Sequence, residues 1–85
     1  MKVAIIGTGY VGLPTGIGLS ELGNQVVCID KIEEKIRSLQ NGKATIYEDG
    51  IEDLFQKNLA SGRLSFTTDM RAGVKGADVV MIAVG

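Results

Sequence analysis

Six consecutive residues, Gly7-Thr8-Gly9-Tyr10-Val11-Gly12, and one later carboxylate, Asp30, have the types and spacing that can do chemistry. The hexapeptide reads G-x-G-x-x-G. Gly7 permits a tight turn off a strand, Gly9 leaves open the space a side chain would fill, and Gly12 lets a helix pack closely on the strand. Amides at the start of that helix, aided by the positive end of its dipole, can hold a diphosphate. Asp30 follows Gly12 by 18 residues and Gly7 by 23. Those spacings bracket the roughly 20 residues that separate such a turn from the acid accepting the ribose hydroxyls of a dinucleotide. A carboxylate there repels a 2′-phosphate, which favours NAD over NADP. Lys31 and Lys35 lie nearby in sequence and pull the other way.

Other reactive side chains have plainer readings. Cys28 falls inside an apolar run, where a thiol packs as a small apolar group. Tyr10 either borders a bound cofactor or packs on the end of the sheet. Asp30 has its own plain alternative, as a helix cap. Glu48, Asp49, Glu52 and Asp53 read as a solvated loop and the acidic first turn of a helix. The chain has no histidine, so the commonest general base and metal ligand is absent. We expect no catalytic residue and no metal site.

The elements that must position the turn follow from apolar periodicity. Lys2 to Ile6 is a strand buried on both faces. A helix runs from about Tyr10 to Leu22, with Val11, Leu13, Ile17 and Leu22 as its apolar positions. Pro14 fits only in its first turn, where a missing N–H loses no intrahelical bond. Gly16 and Gly18 are costly in a helix interior, and close packing on the sheet is the expected return. Gly23-Asn24 ends the helix.

Gln25 to Ile29 is a second strand. Lys31 to Gln40 is an amphipathic helix with Ile32, Ile36 and Leu39 inward, an outward Glu33–Arg37 pair, and a stop at Asn41-Gly42. Lys43 to Gly50 is a polar loop around Ile46 and Tyr47. Ile51 to Ala60 is a helix with Ile51, Leu54, Phe55 and Leu59 inward, closed by Ser61-Gly62. Leu64 to Thr67 is a strand, Asp69 caps a brief helix through Lys75, and Val79 to Val84 is a last strand. This alternation predicts an α/β fold, a Rossmann-type parallel sheet of four strands in order 3-2-1-4 flanked by helices.

Composition narrows the function classes. A net charge of −1 supplies no basic field for a nucleic acid. No run reaches the roughly 18 apolar residues of a membrane span, and no signal-peptide pattern opens the chain. A cytoplasmic protein is the expectation, and a single cysteine agrees with it.

The whole chain resembles the N-terminus of the UDP-glucose/GDP-mannose dehydrogenase family, nearest its UDP-glucose-oxidising branch. The resemblance rests on MKVAIIGTGYVGLPT (Met1 to Thr15), VVCIDKIEEKI (Val26 to Ile36), IYEDGIEDL (Ile46 to Leu54), GRLSFTTD (Gly62 to Asp69) and ADVVMIAVG (Ala77 to Gly85). It implies NAD-dependent, two-step oxidation of the C6 alcohol of UDP-glucose, or a related UDP-sugar, to the carboxylate. It also implies a catalytic cysteine in a later domain, whose motif Cys28 does not match. By motif position Gly7, Gly9, Tyr10, Val11 and Gly12 correspond to the family's pyrophosphate turn, and Asp30 and Lys35 to its adenosine-ribose contacts.

Pro14 stands where the UDP-glucose branch usually has an aliphatic residue and matches the UDP-N-acetylmannosamine relatives. Asp49 stands where a proline usually follows Ile-Tyr-Glu. Members of the family continue beyond Val84-Gly85 into further strands, a central helix and a sugar-binding domain. Residues 1–85 therefore read as a partial NAD-binding domain, able to bind NAD and unable to catalyse alone. Ending at that strand would leave Val79 to Val84 as an apolar edge open to self-association. Two other readings share the turn: a stand-alone NAD-sensing module of the potassium-transport type, and another NAD(P) oxidoreductase.

Overall fold

Valine and isoleucine in short runs favour extended backbone and pack well on a pleated surface, and the runs identified above become strands. The computed structural model describes residues 1–44 and 50–83. Its elements are β1 (Lys2–Ile6), α1 (Gly12–Glu21), β2 (Gln25–Ile29), α2 (Glu33–Gln40), α3 (Ile51–Ser61), β3 (Leu64–Thr67), α4 (Met70–Val74) and β4 (Val79–Ile82). All strand pairs are parallel, in the order β3-β2-β1-β4. The expected order of four strands is the observed one. Most of the loop around Ile46 and Tyr47, with Glu48 and Asp49, lies outside the described residues, as do Val84 and Gly85.

Alternation along the strands divides the core between two faces. Val3, Ile5, Val26, Cys28, Leu64 and Phe66 pack with Leu13 and Ile17 of α1, Ile36 and Leu39 of α2, and Phe55 of α3 in one cluster. The Phe55 and Phe66 rings meet at a centroid distance of 6.0 Å. On the opposite face α4 lies over Ile29 and Thr67. It comes so close that a Cβ at Gly73 would stand 2.5 Å from the Ile29 Cδ1. The glycine that weakens α4 as a helix is thus the one that lets it approach.

Several helix details differ from expectation. α1 starts at Gly12 rather than Tyr10, which still leaves Pro14 in the first turn. Val11 and Leu22 are exposed, and the buried stripe is Gly12, Leu13, Gly16, Ile17 and Ser20. Gly16 is packed as expected, a Cβ there falling 2.8 Å from the Cys28 Sγ, but Gly18 faces open space. α2 starts at Glu33, with Ile32 exposed ahead of it.

On α3, Ile51, Leu54 and Leu59 are only partly covered, while Asn58 is fully buried. Its amide donates to the Leu54 carbonyl at 2.8 Å and its Oδ1 accepts from Arg63 at 3.1 Å. A buried amide satisfied on both sides costs little to bury. Periodicity gave no sign of it.

The stops behave as read. At the end of α1 the amides of Gly23 and Asn24 turn back to the carbonyls of Ser20 and Leu19. At the end of α2 those of Gly42 and Lys43 turn back to Leu39 and Ser38. These bonds satisfy carbonyls that the helix itself leaves open. Glu33 and Arg37 pair at 3.2 Å, and Asp69 caps α4 through the Ala72 amide at 3.0 Å. Among the described residues no helix is long and apolar enough to cross a membrane, and no cluster of side chains suited to a metal is found.

Candidate functional site

Strand order reverses at β1, which has β2 on one side and β4 on the other. In open α/β sheets the crevice beyond the carboxyl ends of the strands at such a reversal is where ligands bind. The Gly7–Gly12 turn leaves β1 at that point. The Gly7 amide donates to the Ile29 carbonyl at 2.7 Å, which carries the ladder one residue past the strand. Gly7 then takes a φ of 110°, a conformation open to glycine at no steric cost. Gly12 is buried against the carbonyl of Gly7, and a Cβ there would also lie 3.3 Å from the Ala83 side chain beyond β4. Gly12 therefore closes the turn on itself more than it seats helix on strand.

A mouth opens at the middle of the turn. Nothing lies within 4 Å of a Cβ placed on Gly9, and the Tyr10 side chain is 98% exposed. Tyr10 does not pack on the sheet end. The Leu13 amide folds back on the Gly9 carbonyl at 3.1 Å, and Pro14 has no amide hydrogen. Among the described residues, the amides of Gly9, Tyr10, Val11 and Gly12 find no acceptor. Four adjacent donors at a helix start, with open space before them, fit an anion of diphosphate size.

Asp30 faces this turn. Its Oδ2 accepts the Thr8 hydroxyl at 2.7 Å and the Thr8 amide at 3.2 Å. Its Oδ1 accepts the Ile32 amide at 3.1 Å. Lys35 approaches Oδ2 at 3.7 Å. Partial burial alone raises the Asp30 carboxyl, but the Thr8 hydroxyl, the two amides and Lys35 outweigh it and hold the group below the usual carboxylate range. Asp30 is thus ionised at neutral pH. It does not take the cap position of α2, which is held by Ile32.

The structure brings Gly7, Gly9, Tyr10, Val11, Gly12, Asp30 and Lys35 to one end of the sheet. Reading by motif missed Thr8, whose variable place in the pattern gave no signal. Cys28 is apart from this group: it is fully buried, and burial pushes its thiol up to about 12. A shallow cavity of about 260 Å³ on the α4 face, between Lys2, Gln25, Val27, Ser65 and Thr67, shares no residue with the turn.

A family model described as the UDP-glucose/GDP-mannose dehydrogenase family, NAD binding domain, matches residues 1–85. The chain is 52% identical over 84 residues to the UDP-glucose 6-dehydrogenase TuaD of Bacillus subtilis, covering 99% of this chain and 18% of that protein. It is 49% identical over 85 residues to the UDP-glucose 6-dehydrogenase of Rhizobium meliloti, covering 100% and 20%. Among solved structures, a ternary complex of GDP-mannose dehydrogenase from Pseudomonas aeruginosa superposes with a TM-score of 0.92 at 41% identity, over 100% of this chain and 20% of that one. The chain thus spans about a fifth of the length of these relatives.

Proposed function

The chain belongs to the UDP-glucose/GDP-mannose dehydrogenase family as its NAD-binding domain, and from that premise we propose that NAD lies across the Gly7–Gly12 turn with its adenosine ribose on Asp30. The observation that carries this reading is the anchoring of Asp30 on Thr8, inside the turn. A ribose acceptor must stand beside the pyrophosphate, and the bonds from Thr8 keep Asp30 beside the turn proposed to carry it. The amides from Gly9 to Gly12 receive the diphosphate, and the bare α-carbon of Gly9 admits it. Tyr10 and Val11 form the exposed rim, and Lys35 stands beside the ribose acceptor. NAD supplies the hydride acceptor when bound, while the chain's residues bind and orient it.

In this reading residues 1–85 are the first part of a nucleotide-sugar 6-dehydrogenase acting on UDP-glucose or a related UDP-sugar, with the central helix and sugar-binding domain outside them. These residues alone bind NAD and do not catalyse. Cys28, the single thiol, is sealed in the core away from the turn. Calorimetric titration with NAD, NADP and FAD is the test, and NAD is expected to bind tightest. Tighter NADP or FAD binding, or oxidation of UDP-glucose by this chain, would overturn the reading.

The edge strand supports a second proposal. All four residues of β4 are exposed, Ile82 most at 73%, and an open apolar edge is a template for another strand. We propose that the 85-residue chain, taken by itself, associates in pairs through Val79 to Val84. Sedimentation velocity showing a single monomeric boundary at high concentration would exclude it.

A further inference from the structure

An ionised carboxylate offers about four lone-pair directions. In Asp30 the chain itself fills three of them. The hydroxyl and amide of Thr8 converge on Oδ2, at 2.7 and 3.2 Å, and the Ile32 amide takes one position on Oδ1 at 3.1 Å. One acceptor position on Oδ1 remains, which takes one ribose hydroxyl rather than the pair expected from the motif, and the group cannot swing without breaking bonds on both oxygens. Thr8 itself is 2% exposed, so its hydroxyl is turned inward and acts through its neighbour.

We propose that Thr8 is a positioning residue, whose hydroxyl fixes the Asp30 carboxylate so that preference for a free 2′-hydroxyl over a 2′-phosphate depends on a side chain that touches neither. The inference rests on Asp30 as the ribose acceptor. Its physics is the difference between a fixed and a mobile charge. A carboxylate held in place binds the ribose without loss of its own freedom and cannot turn away from a 2′-phosphate. Without its shortest bond it is hydrogen-bonded only by the Thr8 and Ile32 amides, at 3.2 and 3.1 Å, so the first advantage shrinks and the second softens.

The test uses the 85-residue chain, with Thr8→Val removing the hydroxyl at nearly constant shape and Thr8→Ser restoring it. NADH and NADPH affinities are measured by titration, and the Asp30 carboxyl is followed by carbon-13 NMR against pH. Thr8→Val is expected to weaken NADH several-fold and leave NADPH unchanged or tighter, and to move the Asp30 titration upward. Thr8→Ser is expected to reverse all three effects. Parallel weakening of both cofactors, an unchanged preference, or no rescue by serine overturns the proposal.

Asp30→Asn separates the two levels of the argument. If it leaves both affinities unchanged, the ribose assignment fails and the role of Thr8 with it. If it abolishes the preference while Thr8→Val does not, only the role of Thr8 fails. Should the valine variant not fold, Thr8→Ala read against Thr8→Ser gives the same comparison.

Discussion

The α-carbon of Gly12 faces the carbonyl of Gly7 with no room for a methyl group, which would stand 2.9 Å from the carbonyl carbon and closer still to its oxygen. The obstacle is backbone, so no side-chain rotation relieves it. Gly12→Ala should therefore cost at the upper end of the range for overpacking, about 3 kcal/mol. For a domain of this size that corresponds to a fall in Tm of more than about 10 °C. Thermal unfolding by circular dichroism measures it, and a change under about 3 °C would contradict so close an approach of Gly12 to the Gly7 carbonyl.

Two glycines of α1 should respond in opposite directions to the same substitution. Gly16→Ala places a methyl 2.8 Å from the Cys28 Sγ and 3.4 Å from the Ile5 Cδ1, an overpacking cost of about 1–3 kcal/mol. Removing the sulfur with Cys28→Ala should recover part of that loss, so the double variant is more stable than the sum of the singles predicts. Gly18 meets nothing within 4 Å, and Gly18→Ala should stabilise by up to about 1 kcal/mol through helix propensity. Chemical denaturation of the four variants decides both claims.

Stability should decline on acidification through Asp30. Its folded carboxyl titrates below its ordinary value because the Thr8 and Ile32 donors and Lys35 outweigh partial burial. A lowered folded value means that the stabilisation is complete above the unfolded value, about 3.9, and lost as pH falls through the folded one. Glu21 is lowered too, chiefly by its bond to Lys57 at 2.9 Å, and contributes in the same direction. Melting curves between about pH 6 and pH 2 should show a shallower acid decline for Asp30→Asn, and shallower again with Glu21→Gln added. Superimposable profiles would show that Asp30 is not held as described.

Cys28 should be inert in the native protein. It is fully buried, with its thiol pushed up to about 12, and the thiolate is the reactive species. Reaction with a thiol reagent at neutral pH should proceed only through unfolding, at a rate that rises with denaturant. Fast modification without denaturant would contradict its burial.

Much of the molecule was legible from residue types. The strands read from β-branched runs, the stops from Gly23 and Gly42, and the diphosphate turn from three spaced glycines followed by an acid. Each is a local rule, in which backbone geometry admits few residues and so announces itself. Folding decided which side of a short helix is inside. Val11, Leu22 and Ile32 are apolar yet exposed, while Ser20 and Asn58 are polar yet buried. Burial follows the line of approach between elements, and α1 approaches where Gly16 admits the Cys28 sulfur. Asn58 is tolerated because partners reach it from Arg63 and from the Glu21 carboxylate at the end of α1.

The link between Thr8 and Asp30 belongs to the same class. The motif sets the distance between turn and acid along the chain, but a hydrogen bond between them exists only because β1 and β2 lie parallel with Ile6 beside Ile29. That register brings residues 22 positions apart to the same edge of the sheet. Sequence determined that a carboxylate would stand near the turn. Only strand pairing, a non-local event, decided which side chain would hold it there.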